Sequence, residues 1–294
     1  MDKICSEKQI LNKETKRCVN KNGMIGKKIL IKNEKIHLFW KKNSCYIDSI
    51  LVALFHNKNL LKFPIKKYNN KKLNYLVHSI NNELIKLFNI ISTRNENNEK
   101  HCSLLRKLIS TFYNELKLKI INSNENWIDS QLDVFDFLDL CEYIYDIKNN
   151  LKFKERTNLN FTNFIFNIPI DYLLNKKKVF IKKIFPSYDN ITLLKADNLF
   201  LKIFRNLDTF KLETKIIPAN KLKLPENSFF LYLNSIIIHY GNNKSGHYIC
   251  LYKYYNKWFE YDDLQQKSTY IGSLNKIIQN DNYISNITAL VYSK

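Results

Sequence analysis

Residues 43–51 read Asn43-Ser44-Cys45-Tyr46-Ile47-Asp48-Ser49-Ile50-Leu51 and set a cysteine where a loop rich in capping residues turns into an amphipathic helix. Asn43 and Ser44 both suit the cap of that helix, whose first-turn N–H groups need an oxygen acceptor. Behind them Ile47, Ile50, Leu51, Leu54 and Phe55 recur at i, i+3, i+4, i+7 and i+8, the spacing of one buried helical face. Cys45 falls in the first turn, where the positive end of the helix dipole favours a thiolate over a thiol. A cysteine at a helix start is more often a small buried residue, so its chemistry depends on what stands elsewhere in the chain.

Residues 239–263 supply the groups for acid and base chemistry, running from His239-Tyr240-Gly241 through Gly246-His247-Tyr248 to Trp258-Phe259-Glu260-Tyr261-Asp262-Asp263. The chain has five glycines, and Gly241 and Gly246 bracket this loop. Such a placement points to a backbone that needs positive φ or lies close to another group. His247 to Tyr254 suits a strand, Tyr255-Asn256-Lys257 a turn, and Trp258 to Tyr261 the returning strand. With Tyr255 and Asn256 at the centre of the turn, His247 faces Leu264 and Asp262 becomes its diagonal neighbour on the same face. By the same alternation Asp263 points to the opposite face.

These residues carry a resemblance. Asn43-Ser44-Cys45-Tyr46-Ile47-Asp48-Ser49 resembles the cysteine box of the ubiquitin-specific protease family, and Gly246-His247-Tyr248 with Trp258-Phe259-Glu260-Tyr261-Asp262-Asp263 resembles its histidine box. The apolar run Leu233 to Ile238, ending in His239 and Gly241, is similar to the strand that precedes that box. The string Cys45 to His56 is also similar to the ubiquitin-specific-protease-like SUMO isopeptidase, where Asp replaces the usual Asn at the place of Asp48. The resemblance implies a papain-like cysteine protease with Cys45 as nucleophile, His247 as general base and then acid, and Asp262 orienting the imidazole. The family commonly has an Asn at the position of Trp40, which this chain lacks. Asn43, with the Cys45 N–H, takes the oxyanion role in its place; a plain helix cap is the competing role for Asn43. His239 competes with His247 as base, and a structural place at the strand end is preferred for it. His37, His56, His78 and His101 have no acid–base motif around them.

Between Ile120 and Ile147 there is no Lys or Arg, although the chain has a formal charge of +20. Leu132, Phe135 and Leu138 give an apolar side, and Asp129, Asp133 and Asp136 fall at i, i+4 and i+7 on the other. A solvated acidic face explains this pattern on its own. The order Gln131-Leu132-Asp133-Val134-Phe135-Asp136-Phe137-Leu138 is, however, similar to a box of the same family whose acids contact arginines near the ubiquitin tail. The resemblance therefore implies Asp133 and Asp136 as substrate-binding residues, a role that suits the directional pairing of carboxylate with guanidinium.

At 294 residues with 45% hydrophobic and 14% aromatic content, the chain can bury a substantial core. No apolar run approaches the roughly eighteen residues of a membrane span, and no membrane partner is expected. Met1-Asp2-Lys3-Ile4-Cys5 does not begin a signal peptide, so an intracellular place with reduced thiols is expected, in cytoplasm or virion. The six cysteines form no C-x-x-C pair; the zinc ribbon of many family members is missing, and neither metal nor cofactor is expected. A +20 surface would bind nucleic acid without sequence preference. Its lysines are scattered apart from Lys176-Lys177-Lys178 and Lys182-Lys183, so a solvated basic surface is preferred.

The first thirty residues, with Cys5, Cys18, Gly23 and Gly26, resemble a two-cysteine adaptor module of large DNA viruses; a disordered basic leader is the alternative. This divides the chain into residues 1–33, adaptor-like, and residues 34–294, catalytic. Helical periodicity over Leu73 to Asn89 and Cys102 to Leu118 precedes strand-like runs at Phe161 to Ile168, Lys178 to Ile184, Leu199 to Phe204, Phe229 to His239 and Ala289 to Tyr292. The expected fold is α+β, a helical thumb-like first half packed on an antiparallel sheet. The expected partner is a conjugate of ubiquitin or a ubiquitin-like modifier. A catalytically silent modifier-binding protein and a basic nucleic-acid-binding protein are the rivals.

Overall fold

The computed structural model describes residues 5–34, 36–39, 41, 43–55, 63–94, 98–116, 132–146, 151–153, 165–168, 170–174, 176–184, 191–193, 198–205, 211–224, 228–242, 245–265 and 267–294. Trp40, His56, Asp129 and Gln131 lie outside them.

The chain opens with a hairpin, β1 (Gln9–Asn12) and β2 (Arg17–Asn20), followed by α1 (Met24–Asn33). A Cys5–Cys18 disulfide staples the hairpin, so these two thiols are not reduced as expected, and the segment is folded rather than a disordered leader. Four helices follow: α2 (Cys45–Phe55), α3 (Lys71–Thr93), α4 (Glu99–Glu115) and α5 (Val134–Ile144). The second half is strand-rich, with β3 (Leu151–Phe153), β4 (Ile165–Ile168), β5 (Lys178–Phe180), β6 (Ile191–Leu193), β7 (Asn198–Ile203), β8 (Lys215–Ile217) and β9 (Lys221–Leu222). Next come β10 (Leu231–Gly241), β11 (Gly246–Tyr254), β12 (Lys257–Tyr261) and β13 (Thr269–Gly272), then α6 (Leu274–Gln279), α7 (Asp281–Asn286) and β14 (Ile287–Ser293). No described helix is long and apolar enough to cross a membrane.

The main sheet has the order β13-β12-β11-β10-β14-β7-β4, with β9 also paired to β10. Helices packed on a sheet make the α+β arrangement expected; the sheet's pairings are antiparallel except at one edge, where β4 and β7 run parallel. Period-two alternation divides its side chains between two cores. Ile237, Tyr248, Cys250, Tyr252, Phe259, Tyr261, Ala289 and Val291 pack with α2 to α5. Ile236, Ile238, Ile249, Leu251, Trp258, Leu290 and Tyr292 pack on the other face with Ile277 of α6 and Ile284 of α7.

Helix α2 is buried from Tyr46 to Phe55, not along one face as its periodicity predicts. It lies between the sheet and the other helices, where apolar neighbours surround it. Ser49, among the few polar residues of its interior, donates its hydroxyl to the Tyr248 carbonyl at 3.1 Å and ties α2 to β11. That contact sets the first turn of α2 beside the start of β11.

Candidate active site

Cys45 is the first residue of α2, half-buried and free. The polar groups ahead of it are organised locally. Ser44 is buried; its hydroxyl donates to Asp48 Oδ2 at 2.7 Å and accepts the Lys41 N–H at 3.1 Å. Asn43 is half-buried two residues before the sulfur.

The histidine arrives on a hairpin whose register is the expected one. Tyr254 pairs with Lys257 and Cys250 with Tyr261. Tyr255 and Asn256 both have positive φ, 45° and 60°, as a two-residue turn of primed type requires. Gly241 and Gly246 divide the two expected reasons for glycine between them. Gly241 has φ +120, and a Cβ on Gly246 would stand 2.1 Å from His239 Nε2. His239 therefore fills the space under Gly246, stacked on Tyr248 with ring centroids 4.4 Å apart. Burial, then the nearby Lys211 and His247 charges, push its pKa down to about 4. A neutral, packed ring of this kind is a structural histidine. His37 Nδ1 contacts the Gln265 carbonyl at 2.8 Å, and His101 Nδ1 contacts Glu83 at 2.7 Å. His78 is exposed.

His247 meets the groups from the far ends of the chain. Its Nε2 donates to Asp262 Oδ1 at 2.8 Å, and its ring is also hydrogen-bonded to the Cys45 side chain. With Nε2 committed to the carboxylate, Nδ1 is the nitrogen left to face the sulfur. These bonds, Asp262 first and Cys45 second, raise the His247 pKa to about 10 against the opposing effect of burial. Asp262 is fixed in turn: Oδ1 accepts the Leu264 N–H at 3.0 Å and Oδ2 the Gln265 side-chain amide at 3.2 Å. Burial pushes its carboxyl up, but the hydrogen bond from His247 and these donors outweigh it and hold the pKa below the ordinary value.

Asp263 departs from expectation. It does not turn away from the histidine: its Oδ1 stands 3.6 Å from His247 Nε2, and the residue is 2% exposed. The strand β12 ends at Tyr261, so period-two alternation no longer governs residues 262 and 263. Neither oxygen of Asp263 has a hydrogen-bond partner among the described residues. Burial, then repulsion from Asp48, raises its pKa to about 7. His247, Asp262 and Asp263 are the one group among the described residues with three metal-ligating side chains in reach, donor atoms within 4.8 Å. Nε2 is already engaged with Asp262, so the arrangement reads as an acid–base unit.

Asp133 and Asp136 occupy places that the helical spacing did not predict. Asp133 precedes α5 as its N-cap and accepts the Phe135 N–H at 3.0 Å, while Asp136 accepts the Asp133 N–H at 2.7 Å, a capping box. Asp133 therefore does not share an outward helical face with Asp136. Desolvation, then the charge of Asp133, raises the Asp136 pKa to about 6. Both carboxylates act on Tyr248, and Asp136 acts on Tyr46, the neighbours of His247 and Cys45. Lys202, over the Phe135 ring at 4.3 Å, is the cation nearest them in electrostatic effect.

The buried pair Asp48–Arg106 was not anticipated. Arg106 Nη2 donates to both Asp48 oxygens, at 2.7 and 2.8 Å, from α4. Burial works against the guanidinium charge, and Asp48 outweighs it. Arg106 falls within the apolar periodicity of α4, where a lone buried cation would have been the signal that a counter-charge waits on another element.

Comparisons with known proteins bear on the family and the fold. The family described as ubiquitin carboxyl-terminal hydrolase matches residues 118–284, a span that holds His247 and Asp262 and begins after Cys45. A solved structure described as the SAGA DUB module of Ubp8 with Sgf11, Sus1 and Sgf73, bound to monoubiquitin, is similar in fold with a TM-score of 0.58. The two share 14% identity over 95% of this chain and 77% of that chain. No curated protein matches the sequence.

Proposed function

This chain belongs to the ubiquitin carboxyl-terminal hydrolase family, and we propose that it is a thiol isopeptidase that cleaves the bond after the C-terminal tail of ubiquitin. The observation that carries the reading is the His247 ring held between the Cys45 side chain and the Asp262 carboxylate. In this reading the Cys45 thiol passes its proton to His247, and the sulfur attacks the carbonyl carbon of the terminal ubiquitin residue. The His247 imidazolium gives its proton to the departing lysine amine, and a thioester remains. The neutral imidazole then takes a proton from water, whose oxygen attacks the thioester, and the proton returns to the sulfur as ubiquitin leaves. Asp262 keeps the ring in one tautomer and balances its positive charge. Asn43 and the Cys45 N–H are the proposed donors to the tetrahedral oxyanion. Asp133 and Asp136 are the proposed contacts for basic residues of the tail. Residues 34–294 would carry catalysis and residues 1–33 a docking role; Lys21 donates to the Tyr255 hydroxyl at 2.9 Å and joins the two parts.

Hydrolysis of ubiquitin and of SUMO carrying a fluorogenic C-terminal amide tests this. The expected result is release from ubiquitin that Cys45→Ala abolishes. Release from SUMO alone would transfer the activity to that modifier. Release from neither, with ubiquitin binding retained, would leave a silent binding protein.

A further inference from the structure

The segment that leads into Cys45 is clamped from both ends by one helix that supplies no group to the reaction. Asn98 stands at the N-cap position of α4 but makes no side-chain cap bond to its own helix. Instead its Nδ2 donates to the His37 carbonyl at 2.6 Å and its Oδ1 accepts the Phe39 N–H at 2.7 Å. Farther along the same helix, Arg106 Nη2 donates to the Phe39 carbonyl at 2.7 Å and to both oxygens of Asp48. Asp48 accepts from Ser44, and Ser44 accepts the Lys41 N–H. The bonds close a ring: α4 to Phe39, along the loop to Ser44, to Asp48 in the first turn of α2, and back to Arg106. Asn43 lies on that ring, and Cys45 directly follows Ser44 in the turn that the Ser44–Asp48 bond spans.

From this geometry we infer that Arg106, acting through Asp48 and the Phe39 carbonyl, is a positioning residue that sets the nucleophile and the oxyanion loop in register with His247. The inference rests on the isopeptidase reading for its consequence in turnover, but not for its effect on the sulfur. A guanidinium suits the task because Nη2 alone carries two N–H groups and so serves the Asp48 carboxylate and the Phe39 carbonyl at once, while Nη1 is buried without a hydrogen-bond partner among the described residues. Both partners are buried, with Arg106 5% and Asp48 1% exposed, so water does not replace a lost bond. Removing one charge leaves the other buried and unpaired, whereas a neutral amide pair of similar shape keeps hydrogen bonds without the charges.

The test compares the full chain with Arg106→Gln, Asp48→Asn and the double substitution. Two readouts are taken: alkylation of Cys45 by a haloacetamide, followed by peptide mass, and kcat and KM on the ubiquitin amide per active site. Arg106→Gln is expected to slow Cys45 alkylation at least about threefold and to lower kcat about tenfold or more, with KM within about twofold. The double substitution is expected to recover most of both losses. If Arg106→Gln fails to fold, the double substitution against Asp48→Asn carries the comparison. Alkylation and kcat at the wild-type level in a folded Arg106→Gln chain would overturn the inference. So would a loss confined to the melting temperature. A wild-type chain inactive on ubiquitin would sink the isopeptidase reading alone, because alkylation still reports the clamp.

Discussion

Nε2 of His247 stands 2.8 Å from Oδ1 of Asp262, and the carboxylate is pinned by the Leu264 N–H and the Gln265 amide. The carboxylate cannot rotate away without losing those bonds, so it dictates which ring nitrogen carries the proton. Asp262→Asn keeps the size and removes the charge. Turnover on the ubiquitin amide is expected to fall by about 10²–10⁴ in kcat with KM little changed, as for a triad that loses its orienting carboxylate. A fall in affinity at unchanged kcat would contradict the orienting role.

Asp263 and His247 make stability depend on pH in adjoining windows, with Asp136 adding to the first. Asp263, raised from 3.8 to about 7, keeps its proton in the folded chain where the unfolded chain has lost it, so stability falls as pH rises between those values. His247, raised from 6.5 to about 10, contributes stability that is complete below 6.5 and lost as pH climbs to about 10. Melting temperatures measured from pH 4 to 10 are expected to decline across both windows. Asp263→Asn makes the first decline shallower, leaving the share of Asp136, raised to about 6, and leaves the second unchanged. An Asp263→Asn chain that kept the wild-type slope below pH 7 would contradict the account.

Gly246 has no room for a side chain. A Cβ would meet His239 Nε2 at 2.1 Å and the Tyr240 carbonyl oxygen at 2.3 Å. Gly246→Ala is expected to lower stability by about 1–3 kcal/mol through overpacking. Because His247 is the next residue, kcat should fall with it. Calorimetry and turnover on the same sample check this; a neutral result in both would mean that the strand ends move apart freely.

The acid pair before α5 serves as a cap in the structure and as a substrate contact in the proposal, and these roles separate by substitution. Asn caps helices about as well as Asp. Asp133→Asn should leave the melting temperature nearly unchanged and raise KM for ubiquitin severalfold, while Asp133→Ala should lower stability by about 1 kcal/mol as well. An unchanged KM in both would reduce Asp133 to its capping role.

Local chemistry was legible in the sequence wherever a period or a turn governed it. The Tyr255-Asn256 turn set the hairpin register from Tyr254–Lys257 to Cys250–Tyr261, because pairing is determined by the turn; Asp262 meets His247 just beyond the end of that ladder. The start of α2 at Cys45 followed from its capping loop. Relationships between elements were not legible. Asp263 escaped alternation because β12 stops two residues before it. Arg106 and Asp48 are far apart in sequence, and no local pattern joins them. Asp133 fits the spacing of a helical face and also fits a cap, and only the observed start of α5 at Val134 separates the two. The Cys5–Cys18 bridge runs against an expectation drawn from compartment, which says nothing about distance.

The central claim is that the sulfur of Cys45 is the atom that ubiquitin's terminal carbonyl meets. Intact-mass measurement of the full chain after exposure to ubiquitin bearing a C-terminal electrophile tests it directly. The account predicts one ubiquitin per chain, mapped to Cys45, absent in Cys45→Ala and much slower to form in His247→Ala. No adduct, or an adduct that persists in Cys45→Ala on Cys102, Cys141 or Cys250, would contradict it.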